Sequence, residues 1–212
     1  MKILSHRGYW KEPKERNTKV AFERSFSLGF GTETDIRDHN GKLVISHDMA
    51  SNDAMLAENF FDIYCSFSQP LPLALNVKAD GLQIELKALL QSFDVQNYFV
   101  FDMAVPDGLQ YARQDFNIYT RLSEYESTPS FYKLAHGVWL DEFNHHWLTD
   151  SIIEEHLNAG KSLCIVSPDL HRRDYAKEWH HYKQIEKRIG LDKLMICTDY
   201  PEEARKFFNE QD

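Results

Sequence analysis

Glu33 and Asp35 stand two residues apart in a β-rich run, so on a strand their carboxylates project to one face and can clasp a single cation. Oxygen donors of this kind suit Mg²⁺, Ca²⁺ or Mn²⁺ better than zinc. An isolated Glu-x-Asp is more often a solvated pair at a sheet edge, but this one has company. Polar residues recur at or just after the ends of other apolar runs: His6-Arg7, Asn76/Lys78, Asp102, Arg121, Asp141, Ser167/Asp169 and Asp199. Buried ionised groups are costly without partners, so this many near a core imply one shared polar cleft. Arg121, Glu124, Trp139 and Asp141 are candidates for its walls; each also reads as an ordinary loop charge or strand-end aromatic.

The elements that must position these groups follow from hydrophobic periodicity. Strands are expected at Lys2–Ser5, Gly31–Ile36, Pro72–Lys78, Tyr98–Asp102, Ile118–Arg121, Gly137–Asp141, Ser162–Ser167 and Leu194–Thr198. Helices are expected between and after them, at Thr18–Leu28, Ala54–Tyr64, Leu82–Ser92, Gly108–Gln114, Glu124–Leu134, Asp150–Ala159, Arg172–Ile189 and Glu202–Asn209. In the first, Ala21, Ser25 and Leu28 share a face with Phe22 and Phe26 beside them, and Gly29 follows its end. Strict strand–helix alternation marks a parallel α/β architecture, and eight units favour a closed (β/α)₈ barrel, the TIM-barrel form, in one domain over residues 1–212. Asn40-Gly41 between Ile36 and Leu43 reads as a tight turn, so a small hairpin follows the second strand and brings His47 back over the barrel mouth. No glycine-rich phosphate loop follows the first strand, which argues against a nucleotide fold.

Composition narrows the partners. The 212 residues are 42% hydrophobic and 27% charged, an ordinary globular mixture, with a formal net charge of −9. Nucleic-acid affinity comes from lysines and arginines that neutralise phosphates, so no nucleic-acid partner is expected. A small phosphate ester remains compatible, because a few cations and a metal can reverse the field inside one cleft. No window is apolar enough for a membrane span and no signal pattern precedes Lys2, so a cytoplasmic protein without an integral membrane segment is expected. Cys65, Cys164 and Cys197 are odd in number and lack CxxC spacing; Cys164 and Cys197 read as buried thiols. His145, His146, His180 and His181 lie in polar or helical runs without a third ligand at metal-binding spacing, and read as solvated surface.

His6-Arg7-Gly8, Asn17-Thr18, Glu33-Thr34-Asp35, Asn40-Gly41, His47-Asp48 and Thr198-Asp199-Tyr200-Pro201 together resemble the glycerophosphodiester phosphodiesterase family. The match is densest over residues 3–48 and returns at Asn76–Lys78 and Thr198–Pro201. The resemblance implies a metal-dependent phosphodiesterase on a (β/α)₈ barrel, related in fold to the phosphatidylinositol-specific phospholipases C. It implies His6 and His47 as the acid/base pair, Arg7 as a catalytic phosphate clamp, Glu33 and Asp35 as metal ligands, and Lys78 as the lysine of the family's Glu-x-Lys strand. Imidazole titrates near neutral pH and the arginine fork matches two phosphate oxygens, so the chemistry agrees with each role. Phosphate or substrate binding is accordingly assigned to Arg7, Lys78, Arg121 and Trp139, and the metal set to Glu33, Asp35 and Asn76 with Mg²⁺, Ca²⁺ or Mn²⁺.

Two positions depart from the family pattern. Arg16 stands where a glutamate usually precedes Asn-Thr, and Asn76 where the family has the glutamate of Glu-x-Lys, normally the third metal ligand. An amide oxygen can bind Mg²⁺ or Ca²⁺ but brings no charge. The stretch from His47 to Asn76 is short where many members carry a larger cap, so an open cleft is expected. The expected substrate is a small-molecule phosphodiester, a glycerophosphodiester first and a polyol or sugar phosphodiester second, cleaved by the two histidines through a cyclic phosphate. A barrel that kept its phosphate clamp and lost turnover with the third carboxylate is the alternative; a purely structural interaction protein leaves the ionisable cluster without a purpose.

Overall fold

Eight parallel strands carry the architecture: β1 Lys2–His6, β2 Gly31–His39, β5 Leu73–Val77, β6 Tyr98–Phe101, β7 Tyr119–Ser123, β8 Gly137–Asp141, β9 Ser162–Val166 and β10 Leu194–Thr198. The computed structural model describes residues 1–189 and 193–209; the rest of the expected 1–212 domain lies outside the described residues. β1 pairs with β2 on one side and β10 on the other; ladders continue through β9, β8 and β7, and through β5 and β6. The last junction is thin. Between β6 and β7 a single parallel bridge joins Val100 and Ile118, with the Val100 N–H donating to the Asn117 carbonyl at 2.8 Å. The ring of strands is thus an eight-stranded (β/α) barrel with one narrow seam.

Helices α1 Lys19–Ser27, α2 Ala57–Cys65, α3 Gln83–Ser92, α4 Val105–Arg113, α5 Asp150–Asn158, α6 Ala176–Ile189 and α7 Pro201–Asn209 connect and cover the strands. One face of the strands, with Ile36, Leu75, Val100, Val138, Ile165 and Ile196, packs beneath them. The other face holds Leu4, Ala74, Phe99, Phe101, Tyr119, Trp139, Cys164, Val166, Met195 and Cys197, a separate apolar cluster that fills the barrel interior.

The expected hairpin forms. β2 runs on past the barrel to His39 and pairs antiparallel with β3 Lys42–Ile45, which pairs with the short β4 Met55–Leu56. Asn40 and Gly41 both adopt positive φ (50° and 74°), the conformation a two-residue type I′ turn requires.

The helix expected over Glu124–Leu134 does not form; turns occupy that stretch. Pro129 removes a donor and biases Thr128 away from helical backbone, while the Glu124 side chain turns aside to accept the Phe143 and Asn144 N–H groups. Three other helices start elsewhere than expected: α2 begins at Ala57 rather than Ala54, because Met55 and Leu56 pair with β3 as β4. α4 begins at Val105, because Pro106 suits the first turn and needs no N–H partner there. α6 begins at Ala176, because a 3₁₀ turn over Pro168–His171 ends on Arg172 in left-handed backbone (φ 59°). Among the described residues no helix is long and apolar enough to cross a membrane.

Candidate active site at the barrel rim

The two-residue period that fills the barrel also builds the site. Leu4, Ala74, Tyr119 and Met195 point into the interior, and the same phase carried toward the strand C-termini brings in His6, Asn76, Arg121 and Asp199. Strand register sets the neighbours: His6 lies opposite Glu33, and Asp35 opposite Asn76.

His6 is held from behind. Its Nδ1 is 2.7 Å from Asp199 Oδ1, leaving Nε2 to face Glu33 Oε2 at 3.9 Å. The Asp199 backbone N–H donates to Asp169 Oδ2 at 2.8 Å, and Arg16 Nη2 lies 3.5 Å from the second Asp199 carboxylate oxygen while the Arg16 guanidinium covers the Trp10 ring. Asp169 itself is buried, which raises its carboxyl above the usual range, and it accepts from Thr198 and Ser167.

Arg7 leaves β1 in left-handed backbone (φ 58°), an uncommon state for a residue with a side chain, and its N–H donates to both the Glu33 carbonyl (2.9 Å) and Glu33 Oε2 (3.2 Å). Gly8 follows at φ 79°, where an added Cβ would sit 2.8–2.9 Å from Ala21 atoms of α1. Only glycine lets the chain turn this tightly against the helix. The turn directs Arg7 Nε to Asp35 Oδ2 at 3.1 Å.

Glu33 and Asp35 are almost wholly buried, at 2% and 0% exposure. Burial pushes the Glu33 carboxyl up to about 7, the Asp35 charge adds to the rise, and His6, Arg7 and Lys78 oppose it. Asp35 accepts from the Asn17 amide at 2.8 Å and has Lys78 Nζ 3.6 Å from its other oxygen. Asn76 donates to Glu33 Oε1 at 3.3 Å. Two buried oxygens of this cluster, Asp35 Oδ1 and Asn76 Oδ1, have no hydrogen-bond partner among the described residues. Unpaired buried acceptors are rare and costly, and two on directly paired strand positions beside Glu33 make a donor set that fits a hard divalent cation.

His47 lies past the end of β3 on the same rim. The Ser46 N–H donates to the Asp35 carbonyl at 3.1 Å, and Arg37 donates to the carbonyls of both His47 and Lys78. A cleft of about 510 Å³ has Arg7, Arg16, Asn17, Ser46, His47 and Met55 on its walls. The His47 ring is 44% exposed, with Nδ1 2.8 Å from Asp48 Oδ1. The structure therefore gathers His6, Arg7, Glu33, Asp35, Asn76 and Lys78 in one cluster and sets His47 at its open edge.

The remaining candidates stand across the rim. Asp102, in left-handed backbone (φ 69°), meets Lys78 Nζ at 3.8 Å and pairs with Arg121, which also reaches Glu126 at 3.0 Å and Asp141 at 3.9 Å. Asp141 is 2.6 Å from His171 Nε2. Trp139 is 5% exposed and stacks on Phe101 with ring centres 4.1 Å apart, so it forms floor beneath the polar groups. Cys164 and Cys197 are buried in that floor, and burial raises both thiols.

Sequence reasoning missed three features. Asp199 was recognised at a strand end but not as the partner of His6; its place straight after Thr198 in β10, the strand next to β1, was the available signal. Asn17 as a donor to Asp35 had no signal beyond its motif. His146 is exposed and His181 half-buried, close to the surface reading, but the two rings also meet at 3.0 Å; a separation of thirty-odd residues across a loop and a helix hides that contact from any local pattern. Among the described residues, Glu142, His146 and Glu178 form a carboxylate–histidine group whose ligand atoms lie within 4.8 Å of one another and could hold an ion.

No protein-family model and no curated protein sequence matches the chain. Solved structures do. A Galdieria sulphuraria protein assigned as a glycerophosphodiester phosphodiesterase superposes with a TM-score of 0.77 at 19% identity, covering 99% of this chain and 98% of that one. The glycerophosphodiester phosphodiesterase of Agrobacterium tumefaciens gives 0.69 at 18% identity with 98% of each chain covered. A phosphodiesterase of Oleispira antarctica, solved with the product sn-glycerol-3-phosphate, gives 0.69 at 13% identity over 99% of this chain and 97% of that one. The chain thus shares, nearly end to end, the fold of the glycerophosphodiester phosphodiesterases.

Proposed function

We propose that this chain is a single-domain, cytoplasmic, metal-dependent phosphodiesterase acting on a glycerophosphodiester or another polyol or sugar phosphodiester. One observation carries the reading: the histidine, arginine, lysine and carboxylates of the sequence motifs converge on one rim, around two buried oxygens that accept no hydrogen bond among the described residues. The fold shared with phosphodiesterases of known structure supports it, and three unpaired cysteines suit a reducing compartment.

Glu33, Asp35 and Asn76 would hold the cation, which when bound supplies positive charge against the phosphate oxygens. Arg7 and Lys78 add fixed positive charge at the same place, where the transition state concentrates negative charge. Asp199 fixes the His6 tautomer by accepting its Nδ1–H, so the Nε2 lone pair faces the cleft. In the proposed reaction, the substrate hydroxyl neighbouring phosphorus gives its proton to His6 as its oxygen bonds to phosphorus. The bond to the leaving oxygen breaks, and His47 protonates that alkoxide. Water opens the cyclic phosphate by the reverse roles, with a phosphomonoester as product.

The test is a ³¹P spectrum of glycerophosphodiesters incubated with the protein and Mg²⁺, Ca²⁺ or Mn²⁺. A new cyclic or monoester resonance that vanishes with His47→Ala is the expected result. Metal-promoted binding of the diester with an unchanged spectrum would instead establish the non-catalytic phosphate-ester-binding barrel, a reading that Asn76 in place of a third carboxylate favours.

A further inference from the structure

On the far side of β8 a second polar cluster joins three elements. Glu142 follows Asp141 out of β8, His146 lies four residues on, Asp150 opens α5, and His181 projects from α6. The contacts form one line: His146 Nδ1 is 3.0 Å from Glu142 Oε1, His146 Nε2 is 3.0 Å from His181 Nδ1, and His181 Nε2 is 2.7 Å from Asp150 Oδ1.

Proton arithmetic makes this line informative. Glu142 accepts the Trp147 N–H at 2.6 Å, the Leu148 N–H at 2.7 Å and the Tyr182 hydroxyl, so both its oxygens act as acceptors and its contact with His146 Nδ1 takes a further donor from that ring. Asp150 is paired with Arg188 at 2.6 Å and takes its donor from His181 Nε2. Each neutral ring has then spent its one N–H on a carboxylate. The two nitrogens that face each other are both lone-pair acceptors, and at 3.0 Å they repel unless a cation lies between them. A carboxylate behind each imidazole is the arrangement that orients metal-bound histidines and raises their basicity. Zinc–nitrogen bonds of about 2.0–2.1 Å would span the pair after a small opening, and imidazole suits Zn²⁺, Cu²⁺ and Ni²⁺. His146, Thr149, Asp150, Ser151 and His181 also line a cavity of about 510 Å³, room for water to complete the coordination.

We infer that His146 Nε2 and His181 Nδ1 form a binding site for a borderline transition-metal ion, separate from the hard-cation site at Glu33, Asp35 and Asn76, that clamps the β8–α5 loop to α6. The inference does not depend on the proposed activity.

Titrating Zn²⁺ into the metal-free protein, with the imidazole ¹⁵N resonances followed, tests it without any variant. The expected result is one tightly bound equivalent that moves His146 Nε2 and His181 Nδ1, with a melting temperature that rises with Zn²⁺. His181→Ala should abolish that equivalent, Asp150→Asn should weaken it roughly 10–100-fold, and Glu33→Gln/Asp35→Asn should retain it. If neither ring responds to Zn²⁺, or uptake disappears only with the Glu33/Asp35 variant, the proposal is overturned and the two rings share a proton alone.

Discussion

Glu33 and Glu142 are both buried carboxylates at the ends of barrel strands, at 2% and 0% exposure, yet their surroundings are opposite. Glu142 accepts from two backbone N–H groups, a tyrosine hydroxyl and an imidazole, all aimed at its two oxygens. Glu33 has one backbone N–H at 3.2 Å, one long amide contact at 3.3 Å, and a second carboxylate beside it with one oxygen that accepts no hydrogen bond among the described residues. A protein that satisfies one buried carboxylate fully can do so for another. Leaving the Glu33 cluster short of donors keeps it ready for a ligand that carries positive charge, at the expense of stability.

The sharpest way to break this contrast is through the histidines. His6→Ala and His47→Ala should each lower kcat by roughly 10²–10⁴-fold if the two imidazoles transfer protons. His39→Ala, in the exposed hairpin with its ring on Asn52, should leave kcat unchanged. Single-turnover rates on a diester substrate decide it; a His6→Ala protein with full turnover removes the first cluster from catalysis.

Next in size is the pH response of stability. Burial holds the folded Glu33 carboxyl at about 7 against an ordinary value of 4.5, so between those pH values the native state binds more protons than the unfolded chain. Stability must fall as pH rises through that window and level off above it, by an amount on the order of 3 kcal/mol for a shift of this kind. Urea unfolding of the metal-free protein from pH 5 to 8 should show the decline. Glu33→Gln should flatten it, and added Mg²⁺ or Ca²⁺ should reverse it by favouring the ionised form. A wild-type curve that rises with pH over this window contradicts the burial argument.

What the sequence made legible divides along the same line. His6-Arg7-Gly8 ends β1, Glu33-Thr34-Asp35 lies within β2 where the barrel ladder stops, and His47-Asp48 follows β3, so parallel strands with period-two faces bring the first two together, and the hairpin turn at Asn40-Gly41 that returns the third is local chemistry. Seven of the eight strands were readable because each buries apolar side chains on both faces; β2 was readable from its alternation of threonines and Ile36 with Glu33 and Asp35. The second cluster is assembled from residues 142, 146, 150 and 181, which come together only once α6 has docked. No local period encodes that docking. The false helix at Glu124–Leu134 has the same origin: its apolar spacing was counted, but the tertiary attraction of Glu124 for the loop after β8 and the interruption at Pro129 were not. Burial pushes the Glu124 carboxyl up, but the backbone N–H groups it accepts from outweigh that and hold it at about 2, a state invisible before folding.

Glu142→Gln tests the satisfied side of the comparison. The amide keeps the shape but turns an NH₂ toward donors, either the Trp147 and Leu148 N–H groups or the Tyr182 hydroxyl and His146. Loss of buried, charge-assisted bonds of this sort costs about 2 kcal/mol. Denaturant midpoints should therefore fall for Glu142→Gln and stay level or rise for Glu33→Gln at pH 8. Equal losses in the two variants would erase the distinction between framework and site.

Asn76→Asp has the smallest expected effect and the finest bearing on the first cluster. The substitution changes no volume, so packing beside Glu33 and Asp35 is kept while a charge is added at the partner position of Asp35 on the neighbouring strand. Without a cation, three carboxylates then face one another, and the metal-free protein should melt at a lower temperature. With one, the extra charge should tighten Mg²⁺ or Ca²⁺ by about tenfold, since ligand charge sets affinity at oxygen sites. Asn76 Oδ1 is the buried oxygen now without a partner, and its direction decides the outcome. Calorimetric titration of both proteins gives the comparison directly: tighter binding places position 76 in the ligand shell, whereas unchanged affinity with a lowered melting point confines Asn76 to holding Glu33 in place.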